Sequence, residues 1–275
     1  MKKWCLFLVV FLVSCTAPAI LSGPSETEVS QRIAEIVKGS SCAVYRWQDR
    51  GRAPIGYMKG MALVYAKNVC ALKRKNSAAL QMAMPVGARE KDALKYYGIK
   101  NGTEAENLRS VFTLALGLGL RESSGKYCCG IDQSSKRYKE YLNGVPVKGE
   151  STNGVEAGTF QTSWNARGTN SEMPKLLPTY QISSSGCFLE TFKEGVDPKY
   201  CSGGNALNFG DGPGLEYQKL SKSCPAFHAE YSIIGMRSLY NHWGPLISKA
   251  AEYRPECEAM LKAVEQVVEG AGCAP

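Results

Sequence analysis

Gly117-Leu118-Gly119-Leu120-Arg121-Glu122-Ser123-Ser124-Gly125 is the stretch on which the reading of this sequence turns. Upstream of it, Thr103 and Glu106 have the spacing of a helix capping box. Val111, Phe112, Leu114, Leu116, Leu118 and Leu120 follow, so the pattern predicts a strongly apolar helix that breaks into small residues just after Glu122. Two influences at that position raise a carboxyl pKa: desolvation by the apolar surroundings, and the negative end of the helix dipole. A glutamate at about 4.3 is almost wholly ionised at pH 7. Raised to about 6 it is roughly one-tenth protonated, for about 2.3 kcal/mol of differential interaction. Protonation of a glycosidic oxygen needs such an acid. Arg121 pulls the other way unless it points to the opposite face. The plainer alternative is a helix-end glutamate that simply meets water.

Further along stands Gly154-Val155-Glu156-Ala157-Gly158-Thr159-Phe160-Gln161-Thr162-Ser163-Trp164-Asn165. Together the two stretches resemble the lysozyme-like superfamily, in particular goose-type lysozymes and bacterial lytic transglycosylases. In those families a Glu-Ser pair ends a core helix and supplies the catalytic acid, and a Gly-x-x-Gln segment forms the other wall of the cleft. Glu122-Ser123 matches the first element and Gly158-Thr159-Phe160-Gln161 the second. The run Gln161 to Asn165 is also similar to the sugar-binding strand of plant-type chitinases. A tyrosine on a later helix corresponds loosely to Tyr231, without the usual Tyr-Asn-x-Gly context. The resemblance covers roughly residues 104–270. It implies Glu122 as catalytic residue, and Ser123, Gln161, Ser163, Trp164, Asn165 and Tyr231 as substrate-binding candidates.

An inverting hydrolase needs a second carboxylate to activate water. Asp132, Glu140, Glu150, Glu156 and Asp211 are candidates by position, with Asp132 and Glu156 foremost. Lytic transglycosylases do without one, because a single glutamate serves as acid and then as base on the sugar's own hydroxyl. The residues leave both routes open. Trp164, Tyr240 and Trp243 are candidates for stacking on sugar rings or for the core. Tyr45 to Trp47 with Tyr57 could extend a binding face. His242 reads as structural.

Helical signals dominate elsewhere. Ser25 and Glu28 make a capping box before Val29, Ile33, Ile36 and Val37. Met61, Val64, Tyr65 and Leu72 predict a helix carrying Cys70; Phe227, Tyr231 and Ile234 predict another. Cys257, Met260, Leu261, Val264 and Val268 form the clearest stripe, with Gly270 as its stop. Residues 143–164 read as a small hairpin, and residues 183–214 as a long loop held by Cys187 and Cys201. The expected fold class is α+β, mostly helical, a lysozyme-like domain whose small β-sheet forms one wall of a cleft.

The N-terminus sets the compartment. Met1-Lys2-Lys3 followed by an apolar run from Trp4 to Val13 has the anatomy of a signal peptide. Leu12-Val13-Ser14-Cys15 has the form of a lipobox, making Cys15 the lipidation candidate; an ordinary cleavage site at Ala17-Pro18-Ala19 is the alternative. Thr16 after the cysteine suits outer-membrane sorting, so the expected location is periplasmic, with the chain itself an outer-membrane lipoprotein. The expected organisation is a signal over 1–15, a tether over 16–24 and a single domain over 25–275.

Of eleven cysteines, Cys5 and Cys15 belong to the leader; the nine that remain suit disulfides in an oxidising compartment, with one thiol left over. No Cys-x-x-Cys pair occurs, so metal binding is not expected, and nothing asks for a cofactor. The formal net charge is +8, which falls by two to +6 once Lys2 and Lys3 leave. That excess suits a polyanionic partner such as peptidoglycan with its peptide carboxylates, or a related N-acetylated glycan. Nucleic acid is not expected, because the protein is exported and has no long basic run. The expected function is cleavage of the β-1,4 MurNAc-GlcNAc bond of peptidoglycan glycan strands by a single general acid/base glutamate. The alternatives are a non-catalytic glycan-binding envelope protein on the same fold and a chitinase-like hydrolase.

Overall fold

The computed structural model describes residues 25–84 and 91–273; the leader, Cys15 and the tether lie outside the described residues. Its first helix forms as the capping box requires. The Ser25 hydroxyl accepts from the Glu28 N–H at 3.3 Å, and the Glu28 carboxylate accepts from the Ser25 N–H at 2.7 Å. This opens α1 (Glu26–Gly39), followed by α2 (Ser41–Val44), α3 (Ile55–Lys73), α4 (Ser77–Ala83), α5 (Ala93–Tyr96) and α6 (Glu104–Ser123). Beyond lie α7 (Lys136–Leu142), α8 (Glu150–Asn153), α9 (Met173–Ile182), α10 (Leu189–Lys193) and α11 (Gly212–Ser223). The chain closes with α12 (Pro225–Ser238), α13 (Gly244–Ile247) and α14 (Pro255–Gly270).

Among the described residues the strands are short, and they form two sheets in place of the one expected. Strand β1 (Arg46–Trp47) pairs antiparallel with β2 (Gly51–Arg52), and β3 (Glu156–Ala157) with β4 (Thr162–Ser163). With four strands of two residues each, the molecule is mostly helical with two small antiparallel sheets. The expected hairpin over 143–164 is confined to its last third. Residues 150–153 wind into α8 because Asp211 accepts the Gly149 N–H at 2.7 Å and the Thr152 hydroxyl accepts the Asp211 N–H at 3.2 Å.

Helices α3 and α6 run through the middle, and α14 lies against both while also covering α1. Residues Leu114 to Leu120 of α6 are buried on every side, whereas α14 buries only its stripe of Cys257, Met260, Leu261, Val264 and Val268. Small residues let α6 accept such close neighbours. A methyl on Gly119 would stand 2.3 Å from the Tyr57 hydroxyl, which instead donates to the Leu116 carbonyl at 2.9 Å.

Among the described residues, four disulfides staple the helices: Cys42–Cys257, Cys70–Cys273, Cys128–Cys201 and Cys187–Cys224. The first two tie α2 to α14 and α3 to the turn that follows α14. The last two hold the long loop at Cys187 and Cys201, each fastened outward: Cys201 to the turn after α6 and Cys187 to the start of α12. The loop between them also carries α10, packed on α3. Cys129 is the free thiol among the described cysteines. No helix among the described residues is long and apolar enough to cross a membrane.

Candidate active site

Helix α6 ends where Ser124 turns into the left-handed region, at φ 56°, and its N–H bonds to the Leu120 carbonyl at 2.9 Å. Gly125 follows with φ 72°, and a methyl there would stand 2.9 Å from the Tyr57 ring, so glycine is needed on both counts. Glu122 therefore sits on the last turn of a buried helix, with its side chain at the floor of a cleft of about 590 Å³. Burial and the neighbouring carboxylates push its pKa up to about 8: desolvation contributes most, then the charge of Glu156, with Asp132 adding less. Arg50 and, more weakly, Arg121 act in the opposite direction.

The weakness of Arg121 has a geometric cause. Its guanidinium turns to the β1–β2 hairpin, donating to the Gln48 carbonyl at 3.1 Å and standing 3.6 Å from Asp49. Arg50, at the tip of the same hairpin, donates to the Arg121 carbonyl at 2.8 Å and lines the cleft. This brings a cation to the acid from a segment that matches no lysozyme motif, 71 residues earlier in sequence.

Opposite stands the β3–β4 hairpin, with Glu156 on β3 and Gln161 at the end of the Gly158–Gln161 turn, both lining the cleft. Four contacts fix it. The Gly158 N–H donates to the Cys129 carbonyl at 2.6 Å, and the Gln161 amide donates to the Gly158 carbonyl at 2.9 Å. From behind, the Trp243 indole donates to the Phe160 carbonyl at 3.0 Å, and Thr162 shares a hydrogen bond with Ser232 of α12 at 2.9 Å. Gln161 holds φ 44°, so the Gly-x-x-Gln motif is the tight turn between two strands and not a strand itself.

Asp132 also lines the cleft, exposed at its rim, where its carboxylate accepts from the Ser134 N–H at 2.8 Å and the Ser134 hydroxyl at 2.6 Å. Of the other carboxylates, Glu150 accepts from Asn153 and Asp211 from the Gly149 N–H, and neither lines the cleft. The structure thus brings together Glu122, Asp132, Glu156 and Gln161. It also adds Arg50, Lys126, Gln133, Tyr200 and Asn205 as lining residues that sequence reasoning missed. Only the cysteine spacing could have hinted at the last two, since the Cys128–Cys201 bridge carries that loop to the cleft.

The remaining expected binding residues are placed elsewhere. The Ser123 hydroxyl donates back to the Gly119 carbonyl at 3.1 Å inside α6, and Ser123 is buried. Ser163 is buried and donates to the Asn165 side chain at 2.5 Å; Asn165 is exposed, outside the cleft lining. Trp164 is a core residue, stacked on Tyr231 with ring centroids 6.0 Å apart. Tyr231 corrects the expectation of a cleft tyrosine: it is fully buried, and its hydroxyl lies 3.2 Å from the carbonyls of both Ser163 and Trp164, to which it donates. Its role here is to anchor β4. Tyr231→Phe is therefore expected to cost about 1–3 kcal/mol in urea unfolding, from carbonyls left without their donor, with substrate affinity unchanged. A large rise in KM at unchanged stability would restore it to the cleft.

Tyr57 and Trp243 are likewise buried, and Tyr240 stacks on Tyr96 at 4.2 Å. Burial holds the His242 pKa below its ordinary value, in keeping with a structural role. Behind the hairpin turn His228 is held neutral, its pKa pushed down to about 3 by burial. Comparison with protein-family models, curated proteins and solved structures found no match.

Proposed function

We propose that this protein cleaves the glycan strands of peptidoglycan at the β-1,4 MurNAc-GlcNAc bond, with Glu122 as the proton donor. The observation that carries this reading is the position of Glu122, on the last turn of a buried helix and lining a cleft together with Glu156 and Gln161. With a pKa of about 8, roughly nine-tenths of it is protonated at pH 7 while it faces an open cleft. A carboxylic acid held neutral at that pH can protonate a leaving glycosidic oxygen. The lysozyme-like motifs, Glu122-Ser123 and Gly158-x-x-Gln161, support the same substrate class. We propose the cell envelope as the location, on the leader, the Cys15 lipobox and the four disulfides, which form in an oxidising compartment.

Glu156 favours hydrolysis over the single-glutamate route, because it lines the same cleft as the acid and is the foremost of the charges acting on Glu122. In this reading Glu122 donates its proton to the leaving oxygen while Glu156 takes one from the water that attacks the anomeric carbon. The test is mass spectrometry of the soluble products from sacculi digested in ¹⁸O-labelled water. Reducing-end muropeptides carrying the label are expected; unlabelled anhydro-muropeptides would transfer the base role to Glu122 itself. Intact sacculi that merely retain the protein would leave a glycan-binding protein and no enzyme.

Glu156→Gln is expected to slow labelled-product release by about 10²–10⁴-fold. It should also move the basic limb of the pH profile to lower pH, because removing a nearby negative charge lets Glu122 ionise more easily. A variant with the wild-type rate and an unmoved limb would take Glu156 out of the mechanism.

A further inference from the structure

We propose that the cleft continues past Glu156 into an accessory pocket that receives a zwitterionic amino-acid branch of the substrate, namely the peptide stem carried by the glycan. The proposal rests on the glycan-cleaving reading and names what else that site must recognise. Continuity is the first argument. A second cavity of about 480 Å³ adjoins the catalytic cleft, and Ile131 and Glu156 line both. Its size falls within the ~300–1,000 Å³ usual for small-ligand pockets.

The second argument is that this wall is built as a platform. Ile131, Val155 and Phe209 form a small core separate from the main one, with Tyr138 and Val147 packed against it. Tyr141 sits edge-on to Phe209 at 4.4 Å, and Asp211 ties α8 to the start of α11. Helices α7 and α8 are thereby held over the continuation of the cleft.

Charge selects the ligand class. The pocket is lined by Lys136 and Glu140, an exposed pair 3.5 Å apart, and by Glu156 on the shared wall. The Lys136 ammonium and the Glu140 carboxylate fit a group that itself bears a carboxylate and an amine; an uncharged sugar ring would leave them unused. The peptide of peptidoglycan branches from the lactyl ether of the sugar next to the scissile bond, and its diamino acid carries both groups. Exposed pairs such as Lys136–Glu140 are weak, so the ligand can replace each partner at little cost.

The experiment is calorimetry on the full folded chain with two probes, a disaccharide bearing a diamino-acid peptide and the same disaccharide without it. Wild type should bind the first about tenfold tighter, the size expected of one charge-assisted hydrogen bond. Lys136→Ala/Glu140→Ala, at exposed positions on α7 and checked for an unchanged melt, should lose that preference. Equal binding of both probes by wild type, or a preference that survives the double substitution, overturns the pocket. Digestion of sacculi in parallel separates the two ideas. Digestion without preference removes the pocket and leaves the cleavage reading. A preference that depends on Lys136 and Glu140, with no digestion, keeps the pocket and removes cleavage.

Discussion

Above about pH 8, Glu122→Gln is expected to melt at a higher temperature than the wild-type protein while its release of soluble glycan products falls steeply. Both halves follow from one carboxyl group. Its folded pKa is about 8, against a reference of 4.5, so between those values the folded chain holds a proton that the unfolded chain has lost. Stability then falls as pH rises through this window, and the full penalty of burying the charge is reached above about pH 8. Glutamine is neutral throughout and escapes that penalty, which is of the order of a few kcal/mol. At pH 4 the two proteins should melt together, since both then carry a neutral side chain. Turnover should fall by about 10²–10⁴-fold in the variant, because an amide cannot donate the proton that a carboxylic acid does. Wild-type activity should decline as pH rises through about 8. Thermal melts at pH 4 and pH 9, beside digestion of sacculi, check all of this. Matching melts at pH 9, or full activity in the variant, would remove Glu122 as a buried neutral acid.

Much of that acid was legible in the sequence. The capping box at Thr103 and Glu106 fixes where α6 begins, its apolar run shows that it is buried, and Ser124-Gly125 shows where it stops. These are local signals. The size of the pKa shift was not legible, because Glu156 and Asp132 come from separate segments and their charges add only when the chain folds them onto one cleft. Arg50 was missed for the same reason: nothing near it in sequence announces that its hairpin meets the end of α6. Tyr231 and Trp164 show the opposite error. An aromatic near a binding motif reads equally as ligand platform or core, and here two carbonyls of β4 and a stack of rings draw both inward. The two-residue ladders were overestimated as a larger hairpin because the Gly-, Ser- and Thr-rich stretch before them suits turns and short helices as well as strands.

Replacing all four of Cys42, Cys257, Cys70 and Cys273 by serine is expected to leave the chain unfolded, whereas removing either pair alone should leave it folded. The asymmetry comes from loop closure. Cys42 and Cys257 are separated by 215 positions, and Cys70 and Cys273 by 203, so either bridge alone restrains a loop worth about 5 kcal/mol in the chain-entropy model. Once one bridge exists the second closes a much shorter circuit, running from Cys42 to Cys70 and from Cys257 to Cys273, roughly 45 residues in all and worth about 4 kcal/mol. Removing one pair therefore costs about 4 kcal/mol, since the other still holds the ends together. Removing both costs about 9 kcal/mol, comparable with the whole stability of an ordinary domain, about 5–15 kcal/mol. The bridges fasten α14 and the turn that follows it to α2 and α3, and α14 in turn covers α6, so their loss also exposes the helix that carries Glu122. Urea unfolding of the two pair variants, with circular dichroism of the quadruple variant, decides the matter. A quadruple variant that folds with only a few kcal/mol lost would mean that the helical core closes these loops without covalent help.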